Sequence, residues 1–117
     1  MSSTEANQAF GRRVREIVTG LLESGTPDVR EVASAVSSSA RTLQRRLRGA
    51  GLTYAGLVQQ ARCEAASQML LESDRSVSDV ARTLGYSDPA HFTRAFHRWT
   101  GLAPREFRRR NGGVNER

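Results

Sequence analysis

The chain has 117 residues, a formal net charge of +6 and one cysteine, and all 18 of its basic residues are arginine. This length suits one domain or two small halves and leaves no room for a large enzyme. A single cysteine excludes an intramolecular disulfide and a cysteine-based zinc site. The arginine excess favours a polyanionic partner, because the planar guanidinium matches phosphate groups and guanine edges.

The N-terminal stretch MSSTEANQAFGRR lacks the apolar core of a signal peptide. No stretch approaches the roughly 18 apolar residues that a membrane span needs. One cysteine also fits a reducing compartment. We therefore expect a cytoplasmic protein that acts at the nucleoid and not at a membrane.

The first two predicted helices follow from apolar spacing and capping residues. Apolar residues at steps of three and four predict a helix over residues 7–24 that closes at Gly25. Asp28 and Glu31 have the spacing of a capping box. They predict a short second helix that ends at about Val36.

The next two helices differ in length. Ser39 is placed to cap a third helix, in which Leu43 and Leu47 form a narrow apolar stripe. From Thr53 to about Leu71 the apolar residues keep the helical period. This fourth helix is expected to be about 28 Å long, at roughly 1.5 Å per residue.

Two further helices begin at clear capping signals. Ser76 and Asp79 have the spacing of a capping box and predict a helix that stops at Gly85. Asp88 is then an N-cap and Pro89 the first helical residue, where its missing N–H has no intrahelical partner.

The chain ends in a last short helix from Pro104 and in residues 111–117, which are expected to form a flexible tail. No segment alternates apolar and polar residues over a useful length. The predicted fold class is therefore all-α, with seven helices.

An internal repeat organises these helices. A shift of 48 residues superposes DVREVASAV on SVSDVARTL, and a shift of 49 pairs Arg45 with Arg94. Each copy is a short helix, a tight turn and a second helix, with a small residue, Ala33 or Ala81, four positions before the turn. This is the helix-turn-helix pattern, whose second helix enters the major groove of DNA. The first unit, the linker helix and the second unit span about residues 28–49, 53–72 and 76–100.

Helical rotation identifies the outward face of each second helix. Advancing about 100° per residue from Leu43, or from Phe92, places arginine, glutamine, threonine and histidine away from the core. Arginine can bridge guanine, glutamine can bridge adenine, and threonine can contact a thymine methyl group or a phosphate. Ser39 and Asp88 stand at the helix starts, where we expect the phosphate backbone. The residues expected to contact DNA are Arg41, Thr42, Gln44, Arg45, Arg48, Ala90, His91, Thr93, Arg94, His97 and Arg98.

Two recognition helices can enter successive major grooves on one face of DNA only if they lie about 34 Å apart. A linker helix of roughly 28 Å is a suitable spacer. We therefore expect one monomer to read two adjacent half-sites, which need not form a palindrome.

Three other interpretations of the basic faces are possible from the sequence. A merely solvated polar face is weakened because RTLQRRLR has four arginines and no acidic residue at helix spacing. The sequence disfavours an enzyme. His91 and His97 stand about 240° apart on a helix, so they cannot chelate one metal ion. Cys63 has no acid-base partner nearby in the sequence that would activate it as a nucleophile. No catalytic residue, metal or cofactor is expected. A protein-interaction module that binds an acidic partner is kept as the alternative function.

Some prominent residues are given structural roles. Phe92, Phe96 and Trp99 form one stripe of the sixth helix and are expected in the core. Arg62, on the linker helix, is expected to be a structural hydrogen-bond donor, and Cys63 an inert, half-buried residue.

Residues 7–110 resemble the C-terminal DNA-binding domain of AraC/XylS-type bacterial transcription regulators. The most specific part is VSDVARTLGYSDPAHFTRAFHRWTGLAPREFR. The resemblance implies two helix-turn-helix subdomains on a linker helix, with promoter DNA as the partner and RNA polymerase as a frequent second partner. The positions that the family uses for base contacts match Arg41, Gln44, Arg45, His91, Thr93 and Arg94.

The sequence departs from the family pattern in three ways. Ser37 and Ser38 stand where a glycine and an apolar residue are common, so the first unit is expected to be less rigidly packed. Ala103 replaces the usual serine before Pro104, which weakens the last helix slightly. We expect no N-terminal regulatory domain within these 117 residues, so the sequence is either a part of a longer regulator or a small stand-alone member. We expect the isolated domain to be monomeric, because dimerisation would come from such a domain.

Overall fold

The computed structural model describes residues 3–22, 25 and 27–111, and within them the chain forms seven helices and no strand. The predicted all-α fold class is therefore confirmed. The helices are α1 (Ser3–Leu21), α2 (Val29–Ala35), α3 (Ala40–Gly49), α4 (Tyr54–Glu72), α5 (Val77–Thr83), α6 (Pro89–Thr100) and α7 (Pro104–Asn111). None of them is long and apolar enough to cross a membrane. Asn111 closes α7, and the remaining residues of the predicted tail, 112–117, lie outside the described part.

The first helix has different bounds from those predicted. α1 begins at Ser3, four positions before the predicted start, because a helix continues through polar residues when no breaker interrupts it. It ends at Leu21, after which Leu22 is buried and Gly25 turns the chain with φ of 112°. The N–H of Gly25 donates to the carbonyl of Leu22 at 3.0 Å. Gly25 therefore marks the turn that follows the helix.

Four predicted N-caps are confirmed. The side chains of Asp28, Ser39, Ser76 and Asp88 each accept a hydrogen bond from a backbone N–H two or three residues later, at 3.0–3.1 Å. Asp28 receives this bond from Arg30, two positions on, and not from the third position that its predicted capping box uses. The same bond, reinforced by the Arg30 guanidinium, lowers the pKa of the Asp28 carboxyl below its ordinary value.

The chain divides into two compact units, Met1–Ala61 and Arg62–Arg117, with the boundary inside α4. Each unit has its own buried apolar cluster. In the first unit it includes Val14, Val18, Val32, Ala33, Leu43, Leu47 and Leu57. In the second unit it includes Ala66, Leu70, Val80, Ala81, Leu84, Phe92, Ala95 and Phe96.

The turns that follow α2 and α5 have the same hydrogen bonds. The N–H of Ser38 donates to the carbonyl of Ala33 at 2.8 Å, and the N–H of Tyr86 donates to the carbonyl of Ala81 at 3.0 Å. Both alanines are buried, as their small size and position predict. This six-to-one bond defines a Schellman motif, so both helix-turn-helix units bend at equivalent residues.

Contacts from α1 hold α3 within the first unit. The guanidinium of Arg46 lies over the ring of Phe10 at 4.0 Å, and its Nε donates to Oδ1 of Asn7 at 3.4 Å. Gly11 lets the side chain of Leu52 approach α1 closely, because a Cβ at position 11 would lie 2.8 Å from Cδ1 of Leu52. α3 is thus held by its inner side, which leaves its other side exposed.

In the second unit, α7 packs against α6 and closes the end of α4. The rings of Phe96 and Phe107 meet edge to face, with centroids 5.1 Å apart. Arg108 donates to three carbonyl oxygens at and beyond the C-terminus of α4, which belong to Leu70, Ser73 and Arg75. Phe107 thus contacts α6 on its inner side, and Arg108 ties α7 to the end of α4.

Candidate nucleic-acid interface

The exposed side of α3 carries the residues predicted for it. Leu43 and Leu47 are fully buried and set the orientation of the helix. Of the side chains predicted to face outward, that of Thr42 is half-buried. The others are exposed, namely Arg41, Gln44, Arg45 and Arg48. The arginine side chains on this helix therefore project away from the core.

The exposed side of α6 is equivalent. Phe92, Ala95 and Phe96 are buried. Thr93 is half-buried, and the other predicted residues of this face are exposed: Ala90, His91, Arg94, His97 and Arg98. Trp99, predicted in the core, is only half-buried, with its ring edge-on to Phe96 at 6.4 Å. The end of the aromatic stripe thus reaches the surface.

Both faces carry positive charge that the described residues do not neutralise. Within residues 5–22, 25 and 27–111, no acidic side chain forms an ion pair with Arg41, Arg45 or Arg94. Ion pairs occur on other helices, namely Arg30–Asp28, Arg82–Asp79, Arg109–Glu106 and Arg110–Glu106. An unpaired guanidinium keeps all its donors for phosphate oxygens or base edges.

Ser39 and Asp88, predicted near the phosphate backbone, are both exposed and precede α3 and α6. Oγ of Ser39 accepts from the N–H of Thr42, and Oδ1 of Asp88 accepts from the N–H of Ala90. Their side chains thus stabilise the first turns of the two helices, where N–H groups would otherwise lack partners.

Tyr54 opens α4 beside the exposed face of α3. Its hydroxyl donates to the carbonyl of Pro27 at 3.0 Å and so ties this helix to the segment before α2. Burial, together with the negative charges of Asp28 and Glu31, raises the pKa of Tyr54 to about 12. The phenol therefore stays neutral and donates its hydrogen bond throughout the ordinary pH range.

The two histidines and the cysteine belong to no metal-binding group among the described residues. His91 and His97 are exposed on α6, and no group of three metal-ligating side chains lies within the described part of the chain. Burial raises the pKa of the Cys63 thiol, which favours the less nucleophilic protonated form.

Tyr86 contributes to this region, although no sequence pattern predicted a role for it there. Its ring lies edge-on to His91, with centroids 5.7 Å apart, and 5.4 Å from the ring of Phe92. The guanidinium of Arg62 lies over the same ring at 4.9 Å, so the structural role expected for Arg62 includes stacking. The residue that completes a Schellman motif often packs against the preceding helix, so its position could mark Tyr86 as partly buried but not predict its contacts with His91 and Arg62.

The chain matches a family model described as a helix-turn-helix domain over residues 32–110, more than half of its length. It is 42% identical over 82 residues to the HTH-type transcriptional regulator VqsM of Pseudomonas aeruginosa, which is 70% of this chain and 25% of that protein. The chain spans about a quarter to a third of the length of the curated relatives it matches.

Two solved structures have the same fold. A Chromobacterium violaceum transcriptional regulator of the AraC-type DNA-binding domain-containing proteins gives a TM-score of 0.80 at 20% identity and covers 91% of this chain and 95% of that one. The DNA-binding domain of AdpA, in complex with a target DNA, gives 0.72 at 26% identity over 90% of this chain and 95% of that one. With the family match and two equivalent helix-turn-helix units, these similarities show that the chain belongs to the AraC/XylS family of bacterial helix-turn-helix transcription regulators.

Proposed function

We propose that this chain binds double-stranded promoter DNA sequence-specifically and regulates transcription. The observation that supports this most is the pair of equivalent exposed faces on α3 and α6, each with arginine that no described acidic residue neutralises. Each second helix would enter one major groove. The AdpA domain, a structural relative, is seen with a target DNA, which agrees with this function.

The proposed roles follow from side-chain chemistry. Arg45 and Arg94 would read guanine, since each is exposed at the middle of its helix and can make two parallel hydrogen bonds. Gln44, His91 and Thr93 would supply further base contacts. The other exposed residues of the two faces, Arg41, Thr42, Arg48, Ala90, His97 and Arg98, would contact bases or the backbone beside them.

Ser39 and Asp88 would act near phosphates through the helix starts that they cap. Asp88 carries a negative charge that repels phosphate, so its carboxylate is not itself the proposed contact. In α3, backbone N–H groups of the first turn would supply it. In α6, Pro89 has no N–H, and those of Ala90 and His91 already bond to Asp88, so that helix start would be positioned beside the backbone without donating to it. The caps would therefore position the recognition helices and not read sequence.

Two successive major grooves lie about 34 Å apart, one turn of DNA. α4 has 19 residues and is therefore about 28 Å long. A linker of this length suits a monomer that reads two adjacent, non-palindromic half-sites.

We infer that the domain acts in the cytoplasm, at the nucleoid, and that RNA polymerase is a second partner of the DNA-bound form.

The test is selection of bound sequences from a random duplex pool, followed by salt titration. We expect enrichment of two short motifs about one helical turn apart. The logarithm of affinity should fall linearly with the logarithm of salt concentration, by about 0.9 per phosphate contacted. A pool that stays random, together with tight binding to an acidic protein surface, would instead support the protein-interaction alternative.

A further inference from the structure

Tyr86 links the turn of the second unit to the exposed face of α6. The residue follows Gly85 in the turn, and its N–H closes the Schellman motif on Ala81. Its side chain is half-buried. The tyrosine backbone is therefore fixed by the turn, and its ring is held against the helix that follows.

Three groups surround this ring on the described part of the second unit. Phe92, fully buried, packs against it at a tilt of 57° with centroids 5.4 Å apart. The guanidinium of Arg62 lies over it at 4.9 Å. The imidazole of His91 meets it nearly perpendicular, at 75° and 5.7 Å. A ring held by a buried aromatic residue and a cation has little freedom left, so it is a fixed support for His91.

The His91 ring is exposed, and without a neighbour it would sample several rotamers. A hydrogen bond to a base edge depends strongly on distance and angle. Holding the imidazole in one orientation before binding removes the entropy cost of fixing it in the groove. The Tyr86 ring supplies that restraint.

At the matching positions, the first unit has no aromatic residue. Ser38 occupies the position that matches Tyr86, and its Oγ donates to the adjacent carbonyl of Ser39 at 3.2 Å. Thr42 matches His91 and is half-buried. An aromatic support for a base-reading side chain is therefore a property of the second unit.

We propose that Tyr86 is a positioning residue for base recognition, which sets the orientation of His91 on α6 and thereby sharpens sequence discrimination at one base pair. The proposal rests on the proposed function, because it needs His91 to face DNA. It assigns the effect to the aromatic ring and not to the hydroxyl.

The first experiment needs no substitution and no DNA. Nuclear Overhauser spectra of the unmodified protein should show cross-peaks between the ring protons of Tyr86 and those of His91. Replacing Tyr86 by leucine should also shift the His91 ring resonances, because the ring current is removed. Absence of the cross-peaks in the folded protein would overturn the proposal, whatever happens to the variants.

The second experiment measures discrimination on duplexes taken from the selection. The base pair read by His91 is the one at which His91→Ala lowers sequence preference. Tyr86→Leu should reduce preference at that pair about threefold to tenfold, the range that an aromatic pair supplies. Tyr86→Phe should keep it. In the His91→Ala background, Tyr86→Leu should have no further effect on that pair.

The base pair read by Gln44 is the internal control, since it belongs to the first unit and its preference should not change in Tyr86→Leu. Equal loss at every base pair, or loss in Tyr86→Phe as well, would overturn the proposal while leaving DNA binding intact. So would a His91→Ala variant with unchanged preference at every pair. Failure of the unmodified protein to bind any duplex selectively would instead refute the proposed function.

Discussion

Ser37 and Gly85 occupy equivalent positions in the two helix-turn-helix units, 48 residues apart, and both have a left-handed backbone. Their φ angles are 56° and 92°, and Ser37 is the only non-glycine residue with positive φ in the described part of the chain. Each residue donates its N–H to the carbonyl three positions earlier, at 3.0 and 3.1 Å. The first unit therefore makes the same turn with a residue that is strained in it.

Replacing Ser37 by glycine should stabilise the protein. A left-handed backbone costs a residue with a Cβ roughly 1 to 2 kcal/mol, and glycine avoids this cost. Glycine also has more conformational freedom in the unfolded chain, which offsets part of the stabilisation. We expect a net increase of about 0.5 to 1 kcal/mol in the free energy of unfolding. Urea denaturation followed by circular dichroism measures it.

The same exchange three residues earlier is the matched control. Ser34 is exposed and lies inside α2, so Ser34→Gly should cost about 0.5 to 1 kcal/mol. In the second unit, Gly85→Ser should lower stability, because it introduces the strain that Ser37 bears. If Ser37→Gly and Ser34→Gly change the free energy of unfolding equally, the left-handed turn does not explain the stabilisation expected for Ser37→Gly.

Features that depend on near neighbours could be predicted from the sequence. The N-caps at Ser39, Ser76 and Asp88 were found because a capping side chain bonds to the backbone within one turn. The exposed faces of α3 and α6 followed from the helical period alone. The predicted start of α1 was wrong by four residues, because no apolar period marks its polar first turn.

Features that depend on distant contacts could not be predicted. Arg108 meets carbonyl groups more than 30 residues earlier in the chain, and Tyr54 meets one 27 residues earlier. Neither residue stands out in a local pattern. Arg62 and Tyr86 are 24 positions apart, so their stacking appears only once α4 and the turn before α6 are folded together.

Arg108 should be one of the larger polar contributors to stability. Its Nε donates to the carbonyl of Leu70 at 2.8 Å, and its Nη2 donates to those of Ser73 and Arg75 at 3.2 and 2.7 Å. The carbonyl of Leu70 lies in the last turn of α4, where an ideal helix leaves carbonyl groups without a partner, and those of Ser73 and Arg75 follow the helix. Arg108→Ala should lower the free energy of unfolding by roughly 2 to 4 kcal/mol.

Arg108→Lys should recover only part of this loss, because an ammonium group cannot reproduce the planar arrangement of donors. Arg109→Ala removes the same charge from the same helix but breaks only an exposed ion pair with Glu106. That control should cost at most about 1 kcal/mol. If the two alanine variants unfold at the same urea concentration, the carbonyl contacts of Arg108 are not stabilising.

The hydrogen bond of Tyr54 should make stability depend on alkaline pH. Its pKa is raised from 10.0 to about 12 in the folded protein. The stabilisation that accompanies this shift is complete below pH 10 and is lost as the pH rises through 12. No lysine titrates in this range, because the chain contains none.

Tyr54→Phe removes both the titration and the bond to the carbonyl of Pro27. At pH 8 it should be less stable than the unmodified protein by about 0.5 to 1.5 kcal/mol. The difference should narrow between pH 10 and 12, where the unmodified protein loses stability and the variant does not. Urea denaturation at pH 8, 10 and 11.5 measures this, and a difference that is constant with pH would contradict the assignment.

Arg45→Ala and Arg94→Ala should weaken DNA binding at different half-sites. Each residue is exposed at the same position of its repeat unit, so each loss should cost about 1 to 3 kcal/mol and relax preference at one base pair. The two affected pairs should lie about one helical turn apart, because α3 and α6 would occupy successive grooves. Footprinting and affinity measurements on substituted duplexes locate both pairs.

Arg109→Ala removes the same charge from α7, outside both recognition faces, and should leave every base preference unchanged. Uniform weakening across all duplexes would make the substituted arginine a phosphate contact, and overlapping footprint changes in the two variants would exclude binding in two grooves.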